Sequence, residues 1–349
     1  MLPRGISTRL LRLVTVGRIA ARRFAQFLCL AVGIAVAQRG GPVRTVSVEA
    51  GGLRKTRLNV VASSKMMGKV NYNDARAALK VWFDSVGRQR GFLLDSRIDI
   101  LENVAEIRDR LQSRSVDVVI PSISEYLELE SSRLIVPILA FALSSHGEAL
   151  YSYVLLVNPS STAKEIAGLR AKSILASSRG GSNTGIAWID VLLGKEKLGR
   201  AESFFATIKV PEKAQACVLQ VFFGTIDACV VDEVSLNLAK EMNPQLGRLK
   251  VLARSLPLIE SLIATPVEPH PYQAELIDGI LSLHEDPTRR QLLMVVKTDR
   301  IVRIQPGDLN SARELWRDYY RLPGSSPHRP PGSGLTAQVG KIDIGKERP

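Results

Sequence analysis

Residues Lys213 to Asp232 read KAQACVLQVFFGTIDACVVD, and this stretch decides the fold. Ala214, Cys217, Val218, Val221 and Phe222 recur at helical spacing, so the first half is a helix with one apolar face. Gly224 stands where a helix C-cap belongs, because glycine enters the left-handed region without a Cβ clash. Ile226 to Val231 is apolar except for Asp227, as expected of a strand covered on both faces. A helix, a glycine stop, a buried strand and an acid at its end form one turn of an α/β architecture.

The same alternation extends in both directions. Leu58–Ala62 is a short β-type run, and Asn73–Val86 is a helix with Ala75, Ala78, Leu79, Trp82 and Val86 on one face. Asn103 and Glu106 have capping-box spacing for a helix through Leu111. Val116–Ile120 is a buried-type strand, followed by Pro121-Ser122-Ile123-Ser124 and a short helix through Leu129. Strands and helices at this spacing predict parallel βαβ units. Leu134–Val157 is rich in β formers. A second series follows: a short helix capped by Thr162 and Glu165, a strand Ser173–Ala176, a helix from Ser182 through Leu193, and a strand Phe204–Val210. After the opening stretch come a helix Val234–Met242 and a strand Leu249–Ala253. Pro271–Leu283, Pro287–Val296 and Asp308–Tyr320 read as helices. Asp117 and Asp227 each precede an apolar strand and are read as structural.

The 349 residues suffice for about two domains. The formal charge of +13 invites a nucleic-acid reading, but the charge is badly placed for one. Six arginines and no acid lie in the first 37 residues; removing those six charges leaves +7 on the remainder, scattered among acids. Aromatics are 5%, too few for a stacking platform, so no nucleic-acid partner is expected. Three cysteines and four histidines show no CxxC, HxxxH or HExxH spacing, so neither a metal nor another cofactor is expected. Cys217 and Cys229 flank the Gly224 turn; a disulfide and two buried thiols both fit, and the choice stays open.

Residues 1–23 are basic, and Phe24–Ala37 (FAQFLCLAVGIAVA) is an apolar run ending in Ala35-Val36-Ala37. This is the order of a secretory signal peptide cleaved before Gln38, and the run is short for a membrane span. Retention of the segment as an anchor is the alternative. The mature chain is therefore expected in the periplasm.

Several stretches together resemble one family: Asn71–Gly91 (NYNDARAALKVWFDSVGRQRG), Ser115–Leu127 (SVDVVIPSISEYL), Val154–Leu193, the opening stretch, and Leu236–Ser255. In order and spacing they are similar to the phosphate/phosphite/phosphonate-binding periplasmic proteins of ABC importers, over roughly Leu58 to Leu322. The resemblance implies a two-lobed, Venus-flytrap α/β fold, each lobe a mostly parallel sheet flanked by helices. Its layout would be a signal peptide (1–37), a linker (38–56), lobe one (57–152), lobe two (153–256), a segment returning to lobe one (257–322) and a disordered tail (323–349). The chain departs from the family at the lobe-two helix start, here Ser182-Asn183-Thr184-Gly185, and at Ile166-Ala167-Gly168, which lacks the usual aspartate.

In open α/β sheets, ligands sit beyond the C-terminal ends of the strands. The candidate ligand-binding residues at those ends are Ser63, Ser122, Ser124 and Tyr126 in lobe one. In lobe two they are Ser178, Arg179, Ser182, Asn183, Thr184 and Asp232. Ser182–Thr184 opens a helix, so backbone N–H groups and the dipole would face an anion. Arg179 could pair with it. Asp232 fits either an accepting role toward the solute or a cap on the helix from Val234. Tyr72 and Tyr153 are further cleft candidates, and core roles suit all three tyrosines equally.

No paired carboxylates, Cys–His couple or Ser–His–Asp set falls at the strand ends, so an enzyme is not expected. The leading reading is a monomeric receptor that captures a small anionic solute, such as phosphonate, phosphite or phosphate, for an ABC permease. The competing reading is a ligand sensor docking on a membrane kinase or cyclase.

Overall fold

The computed structural model describes residues 47–48, 52–67, 70–142, 149–177, 183–211, 213–295, 298–305 and 307–325. The expected signal peptide, most of the linker, the tail from 326, and Ser178, Arg179 and Ser182 lie outside the described residues.

The chain builds two sheets flanked by helices. Lobe one opens with β1 (Ser47–Val48), β2 (Arg54–Ser63), α1 (Ser64–Met67), α2 (Tyr72–Gln89), β3 (Phe92–Leu101), α3 (Val104–Gln112), β4 (Val118–Ile120), α4 (Ile123–Glu130) and β5 (Ile135–Ala142). Lobe two holds β6 (Tyr153–Val157), β7 (Ser173–Ala176), α5 (Thr184–Lys195), α6 (Ala201–Phe204), β8 (Thr207–Lys209), α7 (Ala214–Phe222), β9 (Ala228–Asp232), α8 (Glu233–Met242) and β10 (Lys250–Arg254). The chain then returns through β11 (Leu262–Pro266), α9 (Gln273–Leu281), α10 (Pro287–Val295), β12 (Arg300–Arg303) and α11 (Asn310–Arg321).

The first sheet runs β3-β2-β4-β11-β5-β12, with β1 beside the start of β2. The second runs β10-β6-β9-β7-β8. Both are mixed. β2 pairs parallel with β3 and β4, whereas β11 enters antiparallel between β4 and β5. In lobe two, β7 pairs parallel with β8 and β9, and β6 runs against β9 and β10. β6 and β11, the first strands after each crossing between lobes, run against the parallel strands beside them.

The decisive stretch folds as read. Cys217, Val218 and Val221 of α7 are fully buried against β9. Gly224 has φ 72°, and the Thr225 N–H closes the turn on the Gln220 carbonyl. Cys217 and Cys229 are joined in a disulfide, Cα to Cα 5.8 Å. Asp117 and Asp227 play matching parts. The Asp117 carboxylate accepts from Asn59 N and Nδ2, and that of Asp227 from Ser173 N and Oγ. Each clamps the neighbouring parallel strand at its register.

Other expectations need correction. β2 begins at Arg54, inside the segment read as linker, because Arg54–Ser63 pairs along its whole length with β3. β3 itself was not expected. Its inward residues alternate with Asp95, Arg97 and other outward polar groups, a period-two signal diluted by charge. Asn103 caps α3 through the Ala105 N–H rather than in a reciprocal box with Glu106. The box is instead at Ser122 and Glu125 of α4. The Thr162–Glu165 helix is a 3-10 turn, Ile166–Leu169, without a side-chain cap. The strand expected at Phe204–Val210 is only Thr207–Lys209, since α6 takes up Phe204.

The returning segment does not stay on lobe one. Arg313 of α11 pairs with Glu130 of α4 in lobe one, while Asp318 meets Lys195 and Tyr319 accepts from Arg200 in lobe two. Ala312, Leu315, Trp316 and Tyr319 are buried in an apolar cluster that runs from α4 through β6 to α5. Tyr319 thus anchors a helix that spans both lobes.

Candidate functional site

Two segments join the lobes, and they pair with each other. Tyr151 and Leu258 exchange backbone hydrogen bonds, N to O 3.2 and 3.1 Å. The Tyr153 N–H donates to Ser255 Oγ at 2.8 Å, and the Ser255 N–H to the Tyr153 carbonyl at 2.9 Å. Between them lies Glu260, 1% exposed. Its carboxylate accepts from Tyr151 OH at 2.7 Å and from Tyr153 OH at 2.5 Å. Its carbonyl accepts from Ile123 N, the first residue of α4. One residue therefore touches both lobes. Burial, and then the Glu260 charge, hold the Tyr153 phenol well above its ordinary pKa.

Above this floor, in lobe two, α5 starts at the C-terminal ends of β7 and β9. Asn183 takes the N-cap position with φ 54° and makes no side-chain cap hydrogen bond. Gly185 allows the close approach: a Cβ there would meet Ser177 O at 3.1 Å and Tyr153 Cε1 and Val230 Cγ1 at 3.2 Å. A side chain here would require these neighbours to give by a few tenths of an ångström. Thr184 is fully buried, and Trp188 stacks on Tyr153 with ring centroids 6.5 Å apart. The positive end of a three-turn helix is thereby fixed at the mouth of the sheet.

In lobe one, β2 ends at Ser63 and β4 leads into Ser122, both 0% exposed. Ser63 Oγ accepts from the Lys65 N–H. Ser122 donates its one hydroxyl proton to Glu125 Oε2 at 2.8 Å, and the Ser122 N–H reaches the same oxygen at 3.0 Å. Lys65 Nζ stands 3.2 Å from Glu125 Oε1. Ser124 Oγ lies 3.2 Å from Ser122 Oγ.

The structure brings Ser63, Ser122 and Ser124 together in lobe one, and Asn183, Thr184 and Asp232 at the strand ends of lobe two. Three assignments change. The Ser122 proton is committed to Glu125, so this hydroxyl is not a donor for an anion. Tyr126 is 1% exposed, and its hydroxyl donates to Glu130 beside Arg313, away from Ser122. Asp232 caps α8, accepting from Ser235 N and Oγ at 2.8 Å each. Of the other tyrosines, Tyr72 packs against the lobe-one core and Tyr153 belongs to the floor. Glu125, Glu260, Tyr151, Trp188 and Lys65 were not singled out from the sequence. A Ser-x-x-Glu capping-box pattern at Ser122 would have found Glu125; Glu260 has no local signal.

Among the described residues, no group of three or more His, Cys, Asp or Glu could hold a metal ion, and no helix is long and apolar enough to cross a membrane. The described residues thus present a helix N-terminus at the strand ends of lobe two, serines and a lysine at those of lobe one, and buried, partnered carboxylates at Glu125 and Glu260.

No curated protein matches the chain by sequence. Solved structures share its fold. XAC2383 from Xanthomonas citri bound to chloride ion is 17% identical, with TM-score 0.54, over 76% of this chain and 98% of that one. A binding protein component of an ABC phosphonate transporter from Pseudomonas aeruginosa is 12% identical, with TM-score 0.51, over 76% and 87%. PhnD1 from Prochlorococcus marinus in complex with methylphosphonate is 14% identical, with TM-score 0.50, over 76% and 99%. The family model "ABC transporter, phosphonate, periplasmic substrate-binding protein" matches residues 74–309, a span from α2 through both crossings to the start of α11. With that match over most of its length, on two lobes joined by paired crossings, the chain belongs to the phosphonate-type periplasmic substrate-binding family of ABC importers.

Proposed function

We propose that this solute-binding protein captures a small oxyanion, such as a phosphonate, phosphite or phosphate, between its lobes and delivers it as a monomer to an inner-membrane ABC permease. The observation that carries this reading is the start of α5. Gly185 seats a three-turn helix N-terminus, with buried Thr184, against the strand ends of lobe two. Backbone N–H groups and the helix dipole favour an anion at such a place. Ser182 and Thr184 are assigned as its hydroxyl donors and Arg179 as its charged partner. Ser63 and Ser124 face it from lobe one. Bound phosphonate in a solved relative of the same fold, PhnD1, is in keeping with this choice of ligand class. The N-terminal segment acts as a cleavable export signal.

Calorimetric titration of the purified protein with methylphosphonate, phosphite, phosphate and sulfate tests the reading. Saturable binding of at least one phosphorus oxyanion at micromolar concentration is expected, with a smaller radius of gyration in solution scattering as the lobes close. Absence of binding by all four at millimolar concentration would overturn it.

A further inference from the structure

We infer that Lys65 is the cationic contact of lobe one for the bound anion, and that Glu125 is the residue that positions it. The inference rests on the oxyanion reading and adds a residue pair to it. Lys65 follows Ser63 and Ser64 directly at the C-terminal end of β2, the end at which ligands sit in open α/β sheets. Glu125 lies behind it, 2% exposed, whereas Lys65 is 34% exposed. The carboxylate cannot turn away, because Ser122 N and Oγ both hold Oε2. Its other oxygen, Oε1, is buried and has no hydrogen-bond partner; the Lys65 ammonium at 3.2 Å is its counter-charge.

This arrangement is a fixed dipole. The negative end is buried and tied to the α4 capping box, and the positive end is presented outward. An ammonium has three protons, and one carboxylate oxygen engages at most part of that capacity. The remaining donors can meet an oxyanion in a charge-assisted hydrogen bond. The lobe needs such a donor, since the Ser122 proton is already given to Glu125. A lysine held in place also loses less side-chain entropy on binding than a free one. Lobe two would contribute the helix N-terminus and lobe one the ammonium, so the anion itself would draw the lobes together.

The test is calorimetry with methylphosphonate and with inorganic phosphate at two salt concentrations. Lys65→Met is expected to weaken binding about 10-fold or more and to flatten the salt dependence. Lys65→Arg is expected to retain affinity within about 3-fold, because the charge is kept. Lys65→Met strands a buried carboxylate and could unfold the lobe, so the double variant Lys65→Met/Glu125→Gln is the decisive one. It removes both charges at nearly constant volume and is expected to fold and still bind about 10-fold more weakly. Wild-type affinity in the double variant would overturn the role of Lys65 while leaving the oxyanion reading intact. A wild-type protein that binds neither probe would overturn both.

Discussion

The Tyr153 hydroxyl donates to Glu260 Oε1 at 2.5 Å, across 107 residues of chain, and so locks the segment entering lobe two to the segment leaving it. Tyr151 fills the second carboxylate oxygen. All three groups are buried, and none of these hydrogen bonds can be replaced by water without opening the hinge. Tyr153→Phe leaves a carboxylate oxygen short of a donor and should lower stability by about 1–3 kcal/mol. Glu260→Ala removes the shared acceptor of two phenols and should cost more than Tyr153→Phe. Urea unfolding of the two variants checks the order; equal stability in all three proteins would mean the lock is ornamental.

The anion site makes a sharper distinction. Ser182→Ala and Thr184→Ala should each weaken oxyanion binding by about 1–3 kcal/mol, the range for a lost charge-assisted hydrogen bond. Tyr126→Phe should leave affinity unchanged, since its hydroxyl serves Glu130. Calorimetry on the three variants decides. Loss of binding only in Tyr126→Phe would move the site to the far end of α4.

The disulfide ties α7 to β9 over a sequence separation of 12. Closing a loop of that size should stabilise the fold by about 2–4 kcal/mol. Both sulfurs are buried, so reduction should require denaturant. Thermal melting with and without reductant, and of Cys217→Ala/Cys229→Ala, should show the drop. An unchanged melting temperature in the double variant would refute it.

Stability should fall with acid. The Glu130 carboxyl is held below its ordinary pKa by hydrogen bonds from Arg313, against the opposing effect of partial burial. Asp227 is held low chiefly by the Ser173 hydroxyl. A depressed carboxyl stabilises the fold above its unfolded pKa, about 4, and that contribution is lost as pH falls through the folded value. Asp190 has the opposite sign. Burial raises its pKa, so it favours the fold at low pH and loses that effect as pH rises through the folded value. Urea midpoints from pH 6 down to about pH 3 should therefore decline, and Glu130→Gln should show a shallower decline. Identical slopes would exclude a role for this carboxyl.

Export is tested directly. N-terminal sequencing of the protein from a periplasmic extract should begin at Gln38 or an adjacent residue. A chain retaining Met1 in the membrane fraction would show an uncleaved anchor instead.

The sequence by itself determined the local units. The α7–Gly224–β9 unit was legible because helix period, glycine stop and apolar run are all encoded within a few residues. Ser173–Ala176 and the paired aspartates, Asp117 and Asp227, were legible for the same reason. Ordered along the chain, these units were enough to indicate two α/β series and the family. What the tertiary structure decided is which partners meet across long separations. β3 was hidden because outward charges break the apolar run, and β11 and β12 because short strands in a returning segment take their identity from the strands they join. Ser122 reads as a cleft donor from its position, yet its proton goes to Glu125. Tyr126 reads as a cleft ring, yet Glu130 and Arg313 claim it. Glu260 stands in an ordinary apolar segment, and only the crossing of two chains brings Tyr151 and Tyr153 to its carboxylate. A hydrogen bond needs an orientation as well as a residue type, and orientation at such distances is set by packing rather than by neighbours in sequence.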